Sequence, residues 1–170
     1  MELSPTAYVI LGMLALQPMS GYDIKTTVDH SVRFFWTASY GQIYPELSRL
    51  SKAGLVKGEA EPASGRRRTV YRLTAAGKRA LQAWLAQEPH TFETRDEGLL
   101  KLFFADAAPE TAAASLDAKR AYHEAKLKEL RAIEASGKAE GYPAMVLRFG
   151  IESSEWMVDW CAREAGRLRR

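Results

Sequence analysis

Tyr40-Gly41-Gln42-Ile43-Tyr44-Pro45-Glu46-Leu47-Ser48-Arg49-Leu50-Ser51-Lys52-Ala53-Gly54-Leu55-Val56 is the stretch on which the fold turns. Its spacing predicts a helix from Tyr40 to about Ala53. Ile43, Leu47 and Leu50 recur at i, i+4 and i+7 as one buried stripe, with Gln42, Glu46, Arg49 and Lys52 mostly on other faces. Gly54 is placed to end it, since helices commonly close on a glycine just past the last turn.

Upstream, Ser4-Pro5 supplies an N-cap hydroxyl and a proline at the first helical position. Tyr8, Leu11, Leu14 and Ala15 then follow helical spacing until Pro18. After a break at Gln17–Ser20, Gly21-Tyr22-Asp23-Ile24-Lys25 opens a second helix to about His30, and Val32–Ala38 reads as a connecting loop. Three helices with short breaks match the helix-turn-helix arrangement. Downstream, Leu55–Glu59 and Thr69–Leu73 are short β-prone runs around a polar Pro/Gly stretch, which predicts a hairpin. Thr74 can cap a fourth helix from Ala75 to about Gln87, with Leu81, Trp84 and Leu85 facing inward, and Pro89 marks a boundary.

Beyond that boundary the pattern is helical throughout. Asp96–Asp106 carries Leu99, Leu100, Leu102, Phe103 and Phe104. A long helix runs from Pro109 to about Ser136 with Leu116, Leu127, Leu130 and Ile133 on one side. Gly137 and Gly141 bracket a turn, and Pro143 starts a last helix to about Arg167. The expected fold is mainly α with a small β-hairpin: a winged helix-turn-helix over 1–88 and a helical dimerisation domain over 89–170.

Composition agrees with a globular chain, at 46% hydrophobic and 26% charged residues. No apolar run approaches the ~18 residues that span a bilayer, and the lone Cys161 fits a reducing cytoplasm. Residues 1–85 hold 11 Lys/Arg against 6 Asp/Glu, and residues 86–170 hold 13 against 15. A polyanion would therefore meet the first half.

The hairpin tip Gly65-Arg66-Arg67-Arg68 is the sharpest electrostatic feature. Three consecutive guanidinium groups on a turn can meet phosphates or enter a minor groove, releasing counterions; a solvated turn is the plainer alternative. The third helix would present its first turns to the major groove. There Gln42 can bond adenine bidentately, and the hydroxyls of Tyr40 and Tyr44 suit phosphate while their rings suit a thymine methyl. Either tyrosine could instead pack against the first helix. Ser39 could cap the helix or donate to a phosphate, and Arg49 and Lys52 suit the DNA backbone or acidic neighbours better than bases.

Leu11-Gly12-Met13-Leu14, Pro18-Met19-Ser20-Gly21-Tyr22-Asp23-Ile24, Gly41–Leu50, Ala53-Gly54-Leu55-Val56 and Gly65–Gly77 together resemble the PadR transcriptional regulators, in family order and spacing over about half the chain. Asp96–Ala105 is similar to the start of that family's longer C-terminal domain. The resemblance implies a homodimer on a pseudo-palindromic operator, usually a repressor relieved by a small ligand. It also implies that Tyr22, the Tyr40–Tyr44 turn and the wing arginines contact DNA. In one departure, Arg67 stands where the family often has proline, which leaves the tip more cationic.

The last helix argues independently for dimerisation. At 100° per residue, Met145, Phe149, Trp156 and Trp160 cluster on one side and Leu147, Ile151, Val158 and Cys161 nearly opposite. A helix apolar on two faces needs two coverings, the second most simply another subunit. Trp156 and Trp160, with Phe103, Phe104 and Met145, could alternatively wall a site for a small aromatic effector.

No enzymatic constellation emerges, and no cofactor or metal is expected. His30, His90 and His123 lack metal-ligand spacing, Cys161 reads as an inert buried thiol, and no phosphate-binding glycine motif occurs. Asp96-Glu97 reads as solvated surface. The competing functional reading is a winged helix that binds an acidic protein partner without specific DNA recognition.

Overall fold

Ser4 starts the first helix as expected: its Oγ accepts from Ala7 N at 3.1 Å, and Pro5 occupies the first turn. The computed structural model describes residues 3–63, 66–89 and 95–170, with the backbone alone at 61–63 and 66–67. In α1 (Pro5–Leu16), Ala7, Ile10, Leu11, Met13 and Leu14 are all buried. These positions wrap around most of the helix, so α1 needs cover on several sides. It receives that cover from α2 (Gly21–His30), α3 (Tyr40–Lys52), α4 (Ala75–Leu85) and the sheet. This is the core of the first of two units, Met1–Thr91 and Phe92–Arg170.

The stripe in α3 is as expected, with Ile43, Leu47 and Leu50 buried, but Glu46 joins it at 7% exposure. Its carboxylate accepts from Arg49 Nη1 at 3.0 Å one turn on, which makes its burial tolerable. Gly54 follows with φ 70°, and Leu55 N donates to Leu50 O at 2.9 Å. The 32–38 connection is not wholly irregular, since Val32–Phe34 forms a 3₁₀ turn.

The expected hairpin is a three-stranded antiparallel sheet in the order β1-β3-β2. Met19 and Ser20, in the expected break, form β1 and pair with Tyr71 and Val70 of β3 (Arg66–Leu73). β2 (Val56–Ala63) pairs with β3 from Val56↔Leu73 out to Ala63↔Arg66, so both strands run longer than expected. Lys57–Ala60 and Arg68–Thr69 are exposed. Ladder hydrogen bonds rather than apolar burial hold that part, and no alternation marks it in the sequence.

Thr74 links the sheet to α4. Its Oγ1 accepts from Gly77 N at 3.0 Å and lies 2.8 Å from Gly54 O, while Thr74 N donates to Leu55 O at 3.1 Å. The helix passes so close to the α3–β2 turn that a Cβ at Gly77 would stand 2.1 Å from Leu55 O. Leu81 is buried, but Trp84 and Leu85 are exposed rather than inward. They sit in the last turn, beyond Ala80 and Leu81 where the core contacts of α4 end. Trp84 instead stacks on Tyr8, ring centroids 4.6 Å apart.

In the second unit, Asp96 caps a short α5 (Glu97–Phe103), its Oδ1 accepting from Leu99 N at 3.0 Å. Two 3₁₀ turns, Ala105–Ala107 and Pro109–Thr111, follow where longer helices were expected, so α6 is Ala112–Ala135. Gly137 and Gly141, both with positive φ, turn the chain into α7 (Gly141–Leu168). Pro143 lies inside its first turn, where no N–H is needed. α6 and α7 pack along each other, burying Leu116 and Leu130 from one and Ile151, Ser154, Cys161 and Ala165 from the other. Among the described residues no helix is long and apolar enough to cross a membrane.

Candidate nucleic-acid interface

Ser20 and Asp23 begin the site by fixing the start of α2. Asp23 Oδ2 accepts from Ser20 N at 2.9 Å and Ser20 Oγ at 2.8 Å, and Asp23 N donates back to Ser20 Oγ at 3.2 Å. This capping box satisfies donors the helix cannot. It sends Tyr22 outward, 62% exposed.

At the start of α3, Ser39 N and Oγ donate to Gln42 Oε1 at 2.9 and 3.2 Å. Ser39 thus caps the helix, and Gln42 is its partner. The expected bidentate bond to adenine needs that same carbonyl oxygen as an acceptor for the base amino group. With the cap in place, only the Gln42 amide N–H₂ is left to reach outward.

Tyr22, Tyr40 and Tyr44 come together as an exposed aromatic row. Their rings stack in sequence, with centroids 6.4 Å apart between Tyr22 and Tyr40 and 6.2 Å between Tyr40 and Tyr44. Lys25 Nζ lies 5.6 Å from the Tyr40 centroid while paired with Asp29. Tyr44 packs on α2: a Cβ on Gly21 would stand 2.6 Å from Tyr44 Cε1. That glycine is what lets the ring lie down between the two helices.

Arg68, in β3, pairs with Asp23, and the pair closes one wall of a groove shared with Met19, Tyr22, Thr26 and Thr27. Burial works to raise the Asp23 pKa, but hydrogen bonds from Ser20 and Arg68 outweigh it and hold the carboxyl below its usual range. Gly65 and the side chains of Arg66 and Arg67 lie outside the described residues. Arg49 is exposed and bonded to Glu46. The residues missed from sequence are Asp23 and Lys25. Serine followed three positions later by aspartate is a capping signature that could have flagged Asp23, but its partner in β3 lies 45 positions away.

In the second unit, Met145, Phe149 and Trp156 are 57%, 72% and 58% exposed, whereas Ile151 and Cys161 on the other face of α7 are buried. Trp160 is half-buried beside Leu116, Cys161 and Ala165 and stacks on Trp156 at 6.2 Å. Phe103 and Phe104, at the end of α5, meet edge to face at 5.0 Å and are exposed. Burial pushes the Cys161 thiol up, away from the reactive thiolate. No group of His, Cys, Asp and Glu suited to a metal ion occurs among the described residues.

Residues 10–83 match the model of the transcriptional regulator PadR-like family, and residues 94–169 that of the virulence activator alpha C-term family. The first unit thus carries a domain of the PadR-like family of transcriptional regulators. It is 36% identical over 99 residues to the negative transcriptional regulator PadR of Bacillus subtilis, an alignment spanning 57% of this chain and 54% of that protein. The crystal structure of Bacillus subtilis PadR in complex with operator DNA superposes with a TM-score of 0.86 at 27% identity, covering 95% of this chain and 98% of that one. The same regulator in complex with p-coumaric acid superposes with a TM-score of 0.80 at 26% identity, covering 99% of each chain.

Proposed function

We propose that this chain is a homodimeric, sequence-specific DNA-binding repressor whose operator is pseudo-palindromic and which a small aromatic effector relieves. The observation that carries this reading is the exposed row Tyr22–Tyr40–Tyr44 at the starts of α2 and α3, with Arg68 nearby on the wing strand. Three stacked rings in water are costly to leave exposed and useful against a sugar-phosphate surface, where their hydroxyls donate to phosphate and their edges meet base methyl groups. Ser39, Gln42 and Arg49 flank the row on α3, and Arg66 and Arg67 extend the contact from the wing.

The likeness to PadR bound to operator DNA supports the DNA reading, and the likeness to PadR with p-coumaric acid supports the effector. Dimerisation rests on the uncovered face of α7, where Met145, Phe149 and Trp156 are too large an apolar surface to leave to solvent. The stacked Trp156–Trp160 pair, with Phe103 and Phe104, forms this interface or the effector wall. The working division is a DNA-binding domain over 1–88 and a dimerisation domain over 89–170, in a cytoplasmic protein without catalytic activity.

Selection of bound duplexes from a random pool tests the proposal. A symmetric consensus with half-sites about 10–10.5 base pairs apart, or a multiple, is expected. Recovery of no consensus, with binding only at low salt, would reject specific recognition and favour an acidic protein partner instead.

A further inference from the structure

We infer that Asp23 is a specificity-setting residue: it orients the Arg68 guanidinium on the DNA-facing surface and cancels its charge, so that Arg68 contributes placement rather than bulk attraction to phosphate. The inference rests on the DNA-binding reading above and deepens it.

Three observations carry it. Asp23 is the only carboxylate bonded to Arg68 among the described interactions, and the same Oδ2 accepts from Ser20 N and Oγ. The acceptor is therefore anchored by the helix cap and cannot swing with the arginine. The backbone beneath is anchored too, since Ser20 pairs with Val70, two positions along β3 from Arg68. Finally, both partners are partly exposed, at 49% and 33% of their side chains, beside Tyr22. A guanidinium has five N–H donors in a rigid fork. One nitrogen, Nη2, faces Asp23, which leaves other donors for a nucleic-acid oxygen in one defined direction.

The charge consequence follows from counterion release. A free cation meeting a phosphate contributes about 0.9 to the slope of log K against log salt. A cation already neutralised by a fixed carboxylate contributes little. Lys25 with Asp29 and Arg49 with Glu46 repeat the pattern around the tyrosine row. Each of these three cations is thus matched by a carboxylate, which penalises indiscriminate binding to any duplex.

The test uses the full-length dimer, the selected operator and a random-sequence duplex of equal length, titrated across salt. Asp23→Asn keeps an oxygen to accept from Ser20 N but removes the charge. It is expected to steepen the slope on both duplexes by about 0.9, to tighten random-DNA binding about fivefold at 0.15 M salt, and to leave operator affinity level or weaker. The operator-to-random ratio then falls about fivefold or more. Arg68→Gln uncovers the Asp23 charge and removes the placed donors, so it is expected to weaken operator binding more than random-DNA binding. The double variant, neutral again, is expected to return to the unaltered slope and lose the gain in random-DNA binding. The inference is overturned if Asp23→Asn leaves random-DNA binding unchanged or weakens both duplexes alike. It is equally overturned if Arg68→Gln weakens operator and random duplexes alike, a result readable even should the aspartate variant fail to fold. Absence of any DNA binding by the unaltered protein would instead remove the underlying DNA reading, and this inference with it.

Discussion

Tyr44 lies on Gly21 so closely that a methyl group there would come within 2.6 Å of Cε1 and 3.0 Å of Cζ. The obstructing atoms are the outer end of a side chain that can rotate away. Gly21→Ala is therefore expected to cost about 1 kcal/mol of stability, the low end of overpacking, while displacing the ring from its row. Thermal unfolding should change little and operator affinity should fall more than tenfold. An unchanged affinity would show that the placement of Tyr44 does not matter to DNA.

Gly77→Ala is the contrasting case. Its methyl would meet backbone, 2.1 Å from Leu55 O, with Leu73 Cδ1 at 2.8 Å. Neither α4 nor the Leu55 turn can move without disturbing the Thr74 cap. A loss of about 3 kcal/mol, at the upper end of overpacking costs, should appear in urea denaturation of the N-terminal unit. Any DNA-binding defect should track the unfolded fraction and vanish at low temperature.

Phe149→Glu tests the open face of α7. The side chain is 72% exposed, so a charge there should spare the fold of the subunit. Buried between two subunits, it would leave two facing carboxylates without partners. Sedimentation equilibrium should show the particle mass halved, with circular dichroism preserved. A dimer of unchanged affinity would move the interface elsewhere.

His123 should give the protein a pH limb near neutrality. Burial lowers its pKa, Lys119 and Lys126 lower it further, and Asp96 pulls weakly the other way; the buried Nδ1 has no hydrogen-bond partner. The unfolded chain takes up the proton below about pH 6.5, before the folded one does. Between the two values the unfolded state binds more protons, so stability is full above about pH 6.5 and declines as the pH falls toward the folded value. The melting temperature should drop between pH 7 and pH 5, and His123→Gln should flatten that limb. The Asp96 carboxyl, held low chiefly by its hydrogen bond from Lys119, would act in a separate window below about pH 4.

What could be read from sequence was what is decided locally. The Ser4-Pro5 start, the Ile43–Leu47–Leu50 stripe and the turn at Gly54 each depend on residues within a few positions of one another. β1 was not readable, because two residues cannot show alternation and their pairing partner lies 50 positions on. Trp84 and Leu85 looked like core by type, but a helix only three turns long meets the core with its first two. The exposed site residues were visible as types. Their partners were not: Gly21 beneath Tyr44 and Asp23 against Arg68 join segments that only the packed tertiary structure brings together.

The helix cap at Ser39 has a consequence for the bases an operator can carry. With its carbonyl oxygen held, Gln42 would enter a groove as a donor alone. The major-groove edges of guanine, adenine and thymine all present an acceptor, whereas cytosine offers only its amino group. The base pair beneath this residue should consequently be degenerate on the contacted strand, tolerant of three letters and closed to the fourth, and the consensus should look weakest where the chain looks most able to read.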